Sequence, residues 1–211
     1  PTPKVPLPAA PKVATRMVAG LRVVTQRLTG ERLVAQLWLR GGRFQGARGA
    51  ADLAQRARCV AQQGRAKAIA GAALRGWVTP EHTVFEVVCP IKELQPCLEL
   101  LRALRDAPLP LGAVAEARRQ GQRPPEAGAA GALEGAMAKA FPDDPWGKGA
   151  GAEPADQAVV SFHRNYQAAL VVLLGDRPKA TFDAAVVRAF DAKGAAAPVS
   201  LPDSGRVWRL R

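Results

Sequence analysis

Two pairs of strand-like runs, each followed by helical patterns, constrain the fold of this sequence more than any other feature. The runs LRVVTQRL (21–28) and RLVAQLWLR (32–40) alternate apolar and polar residues, and AALRGWV (72–78) and TVFEVVC (83–89) repeat the pattern later. Alternation with period two is typical of strands that bury one face. We therefore predict two antiparallel pairs, the first joined at a Thr-Gly dipeptide and the second by a tight connection.

Helical patterns fill much of the remaining chain. The segment IKELQPCLELLRALRDA (91–107) places its leucines on one helical face. Pairs of strands followed by runs of helices indicate an α+β domain: a mainly antiparallel sheet of about five or six strands with helices packed on one side. The other predicted elements are helices in 48–64, 125–141, 157–167 and 179–193, a helix that follows the Pro-rich start of PLPLGAVAEARRQGQ (108–122), and a buried strand at 169–176.

The chain of 211 residues divides by composition into three parts. Five prolines in PTPKVPLPAAPKV predict an extended arm over 1–14, an α+β domain follows over 15–198, and 199–211 reads as a linker or the start of a following half. An arm of this kind could follow a removed leader or a lipid anchor, which favours the bacterial periplasm or cell envelope. No apolar run reaches the length that spans a bilayer, so membrane association would require a partner or a separate anchor.

The net charge of +12 raises the question of nucleic-acid binding. The cations are dispersed, and the sequence has no helix-turn-helix, RNP or zinc-finger pattern, so we predict no nucleic-acid partner.

Three cysteines without CxxC spacing predict buried free thiols rather than a disulfide framework or a structural zinc site.

One polar stripe interrupts the otherwise small and apolar residues of RGAADLAQRARCVAQQG (48–64). Asp52, Gln55 and Arg56 fall at i, i+3 and i+4, so they share one face of the predicted helix. The stripe is either a site or a solvated face in which Asp52 and Arg56 form an ion pair within the helix.

Several segments, in their order along the chain, resemble one half of the pitrilysin/insulinase (inverted-zincin) metallopeptidases. That family includes processing peptidases that work as active and inactive subunits, and core subunits of a respiratory complex. The resemblance covers nearly all of the chain after residue 14. The segments that carry it are GLRVV (20–24), LWLRGGRF (37–44), GWVTPEHTVFEVV (76–88), KELQPCLELLRAL (92–104), AFPDDPWGKGAGAE (140–153) and SFHRNYQAALVVLLGD (161–176).

The resemblance implies where a zinc motif would lie. Active members carry His-x-x-Glu-His on the first helix, and these three positions correspond here to Asp52, Gln55 and Arg56. A later glutamate is the third zinc ligand. If Glu116 matches the glutamate that precedes that ligand, the ligand position falls at Arg123.

The residues at these positions cannot perform the family's chemistry. Zinc needs imidazole, thiolate or carboxylate donors that converge on one point. Arg56 and Arg123 are protonated and offer no lone pair, and Gln55 cannot accept a proton from water as a carboxylate does. We therefore predict no catalytic residue, no bound metal, no cofactor and no enzymatic activity. An active site of another kind around Glu81, His82 or Glu116, or a metal site using His82 or His163, remains an alternative.

The strand that contains Leu74, Arg75, Gly76, Trp77, Val78 and Thr79 is a second candidate surface. In the family the corresponding strand lies at the sheet edge beside the catalytic helix, where an extended substrate adds as a further strand. Main-chain pairing does not depend on zinc ligands. The expectation is therefore an inactive domain that pairs with an active zinc-bearing half or subunit and helps enclose a polypeptide. The alternative is a scaffold subunit of a larger membrane-associated complex.

Overall fold

A computed structural model describes residues 12–43, 49–121, 154–164 and 166–190 of the chain. The strands are β1 (Val13–Val18), β2 (Leu21–Arg27), β3 (Arg32–Arg40), β4 (Ala73–Val78), β5 (His82–Pro90) and β6 (Gln167–Gly175). The helices are α1 (Ala50–Ala68), α2 (Leu94–Asp106), α3 (Leu111–Gly121), α4 (Asp156–Arg164) and α5 (Lys179–Phe190), with a 3-10 turn at Ile91–Glu93 before α2.

The six strands form one mixed sheet in the order β1-β2-β6-β3-β5-β4, which confirms the predicted α+β class. Only β2 and β6 run parallel; the other neighbouring pairs are antiparallel. The predicted pair over 72–78 and 83–89 is therefore correct, and its strands are β4 and β5.

The predicted hairpin over 21–28 and 32–40 is wrong, because β6 lies between β2 and β3 and pairs with both. The actual hairpin joins β2 to β1, a strand that overlaps the end of the predicted arm. Its turn uses Ala19 and Gly20, both with positive φ (49° and 73°). Two consecutive positive φ values suit the twist of a two-residue hairpin, whereas the later Thr-Gly pair leads out of β2 without reversing the chain into its neighbour.

Helices α2 and α5 cover one face of the sheet. Alternate residues of β3 (Leu33, Ala35, Leu37 and Leu39) are fully buried against these helices. A second apolar cluster joins α1 to α3, α4 and the end of β4. The amphipathic pattern of 91–107 is therefore confirmed as a helix that packs on the sheet, and Pro96 lies in its first turn, where proline disrupts a helix least.

The cysteine prediction needs correction. Cys89 at the end of β5 and Cys97 in the first turn of α2 are joined as a disulfide, and Cys59 is the free cysteine. The 3-10 turn folds α2 back onto β5, so two cysteines eight residues apart in sequence meet. This proximity could not be inferred from the spacing alone.

Some predictions lie outside the described residues. These are the extended conformation of the arm before Lys12, the helix over 125–141, the position of Arg123, the side chain of His163 and the boundary at 199–211. Within the described part, none of the helices is both long and apolar enough to cross a bilayer.

Edge strand β1 is held to α5 by a partly buried ion pair. Arg16 pairs with Asp183 of α5 and also donates to Thr25 Oγ1 of β2 (2.9 Å). The side chains of Arg16 and Asp183 are only 13% and 29% exposed. Charge-assisted hydrogen bonds away from solvent contribute more than exposed pairs, so this contact links the outermost strand to the helical layer.

Asp183→Asn should lower the free energy of unfolding by about 1–2 kcal/mol, because Arg16 loses its charged partner in a partly buried position. Asp176→Asn is the matched control, since Asp176 pairs with Arg27 at the surface (36% and 71% exposed) and should change stability by less than about 0.5 kcal/mol. Urea denaturation of both variants measures the difference. Equal losses would contradict the importance of the Arg16 contact.

Candidate functional site

Helix α1 lies beside edge strand β4, and Gln55 of the polar stripe reaches this strand. The helix follows Gly49, whose φ of 72° is in the left-handed region. Helices α3 and α4 also pack against α1. The structure therefore brings together two of the features singled out in the sequence, the stripe on the first helix and the strand over 74–79.

Asp52 is engaged by Arg43 rather than by Arg56. The Arg43 guanidinium donates from Nε to both carboxylate oxygens (3.2 and 3.1 Å) and from the terminal nitrogen to one of them (3.0 Å). The expected ion pair within the helix is thus wrong, because Arg43 reaches the carboxylate in a forked geometry that favours arginine. A carboxylate held by a guanidinium is a poor ligand for a cation.

Gln55 is 7% exposed and fixes the distance between α1 and β4. Its Nε2 donates to Cys59 Sγ (3.2 Å) one turn later. A Cβ added to Gly76 of β4 would lie 2.4 Å from Gln55 Nε2 and 3.0 Å from the carbonyl oxygen of Val84. Glycine at position 76 therefore allows the helix and the strand to approach closely. Gln55 occupies the general-base position of the resemblance as a packed amide.

Arg56 is exposed, and its guanidinium lies over the end of α3. A Cβ added to Gly121 would come within 2.9 Å of this group. Arg123, which the resemblance places at the third zinc-ligand position, lies just outside the described residues. The charge of Arg56 is at the surface end of the stripe, where it repels a divalent cation.

A fully buried arginine next to the stripe was missed in the sequence. Arg58 has no exposed surface and donates to the carbonyl oxygen of Ala107, beyond the end of α2. Burial lowers the pKa of Arg58 to about 10, while the neighbouring Tyr166 and Asp106 favour its charged form. The surrounding sequence QRARC does not indicate that Arg58 is buried, because arginine is rarely enclosed in a protein core.

Tyr166 lies at the start of β6 and packs against two phenylalanines. Its ring makes edge contacts with Phe162 and Phe85 at 5.5 and 6.5 Å between centroids. Burial raises the pKa of the Tyr166 hydroxyl well above its usual value. The Tyr166 ring therefore packs where the two apolar clusters meet, and its hydroxyl stays protonated.

Cys59 is half-buried, and its thiol has an unreactive environment. Burial raises the pKa of Cys59 to about 11, with the Gln55 hydrogen bond acting in the opposite direction. Because the thiolate is the nucleophile and the metal ligand, a raised pKa disfavours both roles near neutral pH.

The structure does not gather the alternative active-site residues into one site. His82 makes an edge contact with Trp38 at 5.9 Å, and Glu116 pairs with Arg119 within α3. Among the described residues, no group of three or more histidine, cysteine, aspartate or glutamate side chains could hold a metal ion.

Strand β4 forms the outer edge of the sheet and ends at Val78, so Thr79 belongs to the following connection. The Thr79 backbone nitrogen donates to the carbonyl oxygen of His82 (2.7 Å), and its own carbonyl accepts from the Arg43 backbone (3.1 Å). Arg75 is on the sheet face opposite α2 and binds Glu86, which also accepts from Gln36 (2.6 Å). The paired strands β4 and β5 are thus cross-linked by side chains as well as by backbone.

Comparison with known proteins gives a result at the level of structure alone. No protein-family model matches the sequence, and no curated protein does. A protease from Helicobacter pylori superposes with a TM-score of 0.67 at 14% identity over 86% of this chain and 50% of that one. The peptidase M16 inactive domain from Pseudomonas fluorescens gives 0.64 at 15% identity over 85% and 50%. The chain has the fold of one half of an M16 peptidase.

M16 is the pitrilysin-like group that the sequence resembles. The first half of the periplasmic protease PqqL from Escherichia coli has the same fold, with a TM-score of 0.60 at 14% identity over 87% of this chain and 47% of that one. The chain spans about half the length of the first two structures that it matches. In the described part of the chain, α1 is the first helix after β3.

Gly76→Ala should destabilise the chain by about 1–3 kcal/mol, because the added methyl group overlaps the Gln55 amide and approaches the Val84 carbonyl. Gly64→Ala is the matched control: Gly64 lies in α1 with open space around a Cβ, so alanine should stabilise the helix by about 0.5–1 kcal/mol. Thermal and urea unfolding measure both changes. A neutral Gly76→Ala would show that α1 and β4 are not held together at this point.

Alkylation of native Cys59 should still accelerate as the pH rises from 9 to 11, because its folded pKa is about 11. The raised pKa also makes the free energy of unfolding depend on pH. Between pH 9 and about pH 11 the Cys59 thiol is ionised in the unfolded chain but protonated in the folded chain. Ionisation therefore favours the unfolded chain, and the free energy of unfolding falls as the pH rises through this range. Iodoacetamide labelling followed by mass spectrometry measures the rate, and a plateau below pH 9 would contradict the assignment.

Proposed function

We propose that the chain is a catalytically inactive peptidase-like domain that pairs with an active zinc-bearing half or subunit and helps form a polypeptide-binding chamber. The observation that carries this proposal is the state of the α1 stripe. Asp52 is bound by Arg43, Gln55 is packed against Gly76, and Arg56 presents a cation where the family motif would need ligands.

Strand β4, which lies beside the stripe, can pair with another strand without any zinc ligand. Among the described residues, β5 is the strand that pairs with β4, so the outer edge of β4 has no strand partner there. An extended polypeptide adds to such an edge through main-chain hydrogen bonds. The side chains Arg75 and Trp77 lie on the same face of the strand and would flank the added segment.

The solved structures of this fold support a role in larger assemblies. The chain matches one quarter of the ferredoxin protease FusC, a variant of which was solved in complex with Arabidopsis ferredoxin (TM-score 0.68, 15% identity, 91% of this chain). By this analogy, the present chain would supply one wall of a chamber whose catalytic zinc is held by another half.

The proposal is tested by measuring zinc and peptide turnover in the chain alone and after mixing with a partner half that carries an intact His-x-x-Glu-His helix. The chain alone should hold far less than one equivalent of zinc and cleave nothing, whereas the mixture should cleave peptides faster than the partner alone. Stoichiometric zinc that a chelator removes together with proteolysis by the pure chain would overturn the proposal. Stable association with membrane proteins and no stimulation of any peptidase would favour the scaffold alternative instead.

Strand addition is tested separately by hydrogen exchange in the presence of a non-cleavable extended peptide. The backbone amides of β4 should become protected. The amides of β3, which is paired with a strand on both sides, are the internal control and should not change.

A further inference from the structure

We propose that a groove between the start of α2 and the outer face of α5 binds an acidic amphipathic helix of a partner protein. The groove encloses about 530 Å³ and lies against Ile91, Lys92, Leu94, Gln95, Arg177, Ala180, Thr181, Ala184, Ala185 and Arg188. None of the residues that line the groove belongs to α1 or β4, so the groove is separate from the site described above.

The floor of the groove is apolar and its walls are helical. Ile91 and Leu94 come from the 3-10 turn and the first turn of α2, and Ala180 and Ala184 are one turn apart on α5. Small side chains allow a third helix to approach α5 closely, at the interaxial distance of about 8–10 Å that helix packing requires. Val187, which is 40% exposed, extends the apolar surface along α5.

The rim of the groove carries one sign of charge. Lys92, Arg177 and Arg188 line it, and no aspartate or glutamate does. Within the part of the chain that the structure describes, none of these three cations has an acidic side chain at ion-pair distance, although other arginines nearby, such as Arg16 and Arg27, are paired. The cations therefore remain available to carboxylates of a partner.

The positions of the cations match the length of a short helix. Arg177 precedes α5 and Arg188 lies in its last turn, so the two are separated by about three helical turns, or ~16 Å. An amphipathic helix with apolar residues at i, i+4 and i+7 and glutamates beside them would place its apolar stripe on the floor and its carboxylates on the rim.

The test is selection of a random 16-residue peptide display library on the intact chain, followed by affinity measurements with the enriched peptides. Enriched peptides should be acidic, with apolar residues at helical spacing. Ala184→Trp, which fills the groove without changing its charge, and the double variant Arg177→Glu/Arg188→Glu should each weaken their binding at least tenfold. Arg65→Glu is the matched control, because Arg65 is exposed on α1, and it should change affinity less than twofold.

Thermal unfolding shows whether each variant is folded. If Ala184→Trp does not fold, the double variant Arg177→Glu/Arg188→Glu still tests the proposal, because both of its substitutions are at the surface.

Failure to enrich acidic peptides, or binding that the groove variants do not weaken, would overturn the proposal. Equal binding of polyphosphate and of the acidic peptides would also overturn it, because this would indicate a general anion surface. Concentration-dependent self-association abolished by Ala184→Trp would assign the groove to a second copy of the chain instead. None of these outcomes depends on zinc or on β4, so the result is independent of the proposed function.

Discussion

The fold depends on the insertion of β6 between β2 and β3. β2 and β3 are close in sequence but do not pair with each other. Each of them pairs instead with β6, which begins more than 120 residues after β3 ends. Val171 and Leu173 of β6 then complete the buried face over which α2 and α5 pack. The sheet therefore cannot form its centre until nearly the whole domain has been synthesised, and such non-local pairing is characteristic of slowly folding topologies.

The α1 region shows how a helix and an edge strand are held together by a few specific contacts. In the M16 fold the first helix lies against an edge strand, and here Gly76 and Gln55 maintain that contact at close range. The polar stripe on α1 consists of a carboxylate bound by Arg43, a packed amide and an exposed guanidinium. Arg58 adds a buried charge whose hydrogen bond fixes α1 to the end of α2. These contacts join α1 to the sheet edge on one side and to the end of α2 on the other.

Much of the fold could be predicted because its elements carry strong local patterns. The leucine periodicity of α2 and the alternation in β4 and β5 are direct consequences of which side chains they bury. The pairing of β2 could not be predicted, because the Ala-Gly turn at 19–20 was a weaker signal than the Thr-Gly pair that follows β2, and β6 is remote in sequence. Asp52 was placed correctly on its helix, but its partner Arg43 lies before α1, and no spacing rule within a helix could identify it. Arg58 and the Cys89–Cys97 pair were missed for the same reason, since both depend on how separate elements meet.

The ion pair between Arg16 and Asp183 removes a charged side chain from the exposed face of edge strand β1. Natural edge strands are often protected from pairing with other molecules by an outward-pointing lysine or arginine. In β1 the only cation, Arg16, is turned inward to Asp183, while Val13 and Met17 are 56% and 66% exposed. The exposed side chains of β1 are thus Val13, Thr15 and Met17, and among the described residues no strand pairs with its outer edge. Unless another polypeptide covers this edge, its free backbone groups are the natural starting point for intermolecular sheet growth, and the solubility of the protein depends on what lies beside β1.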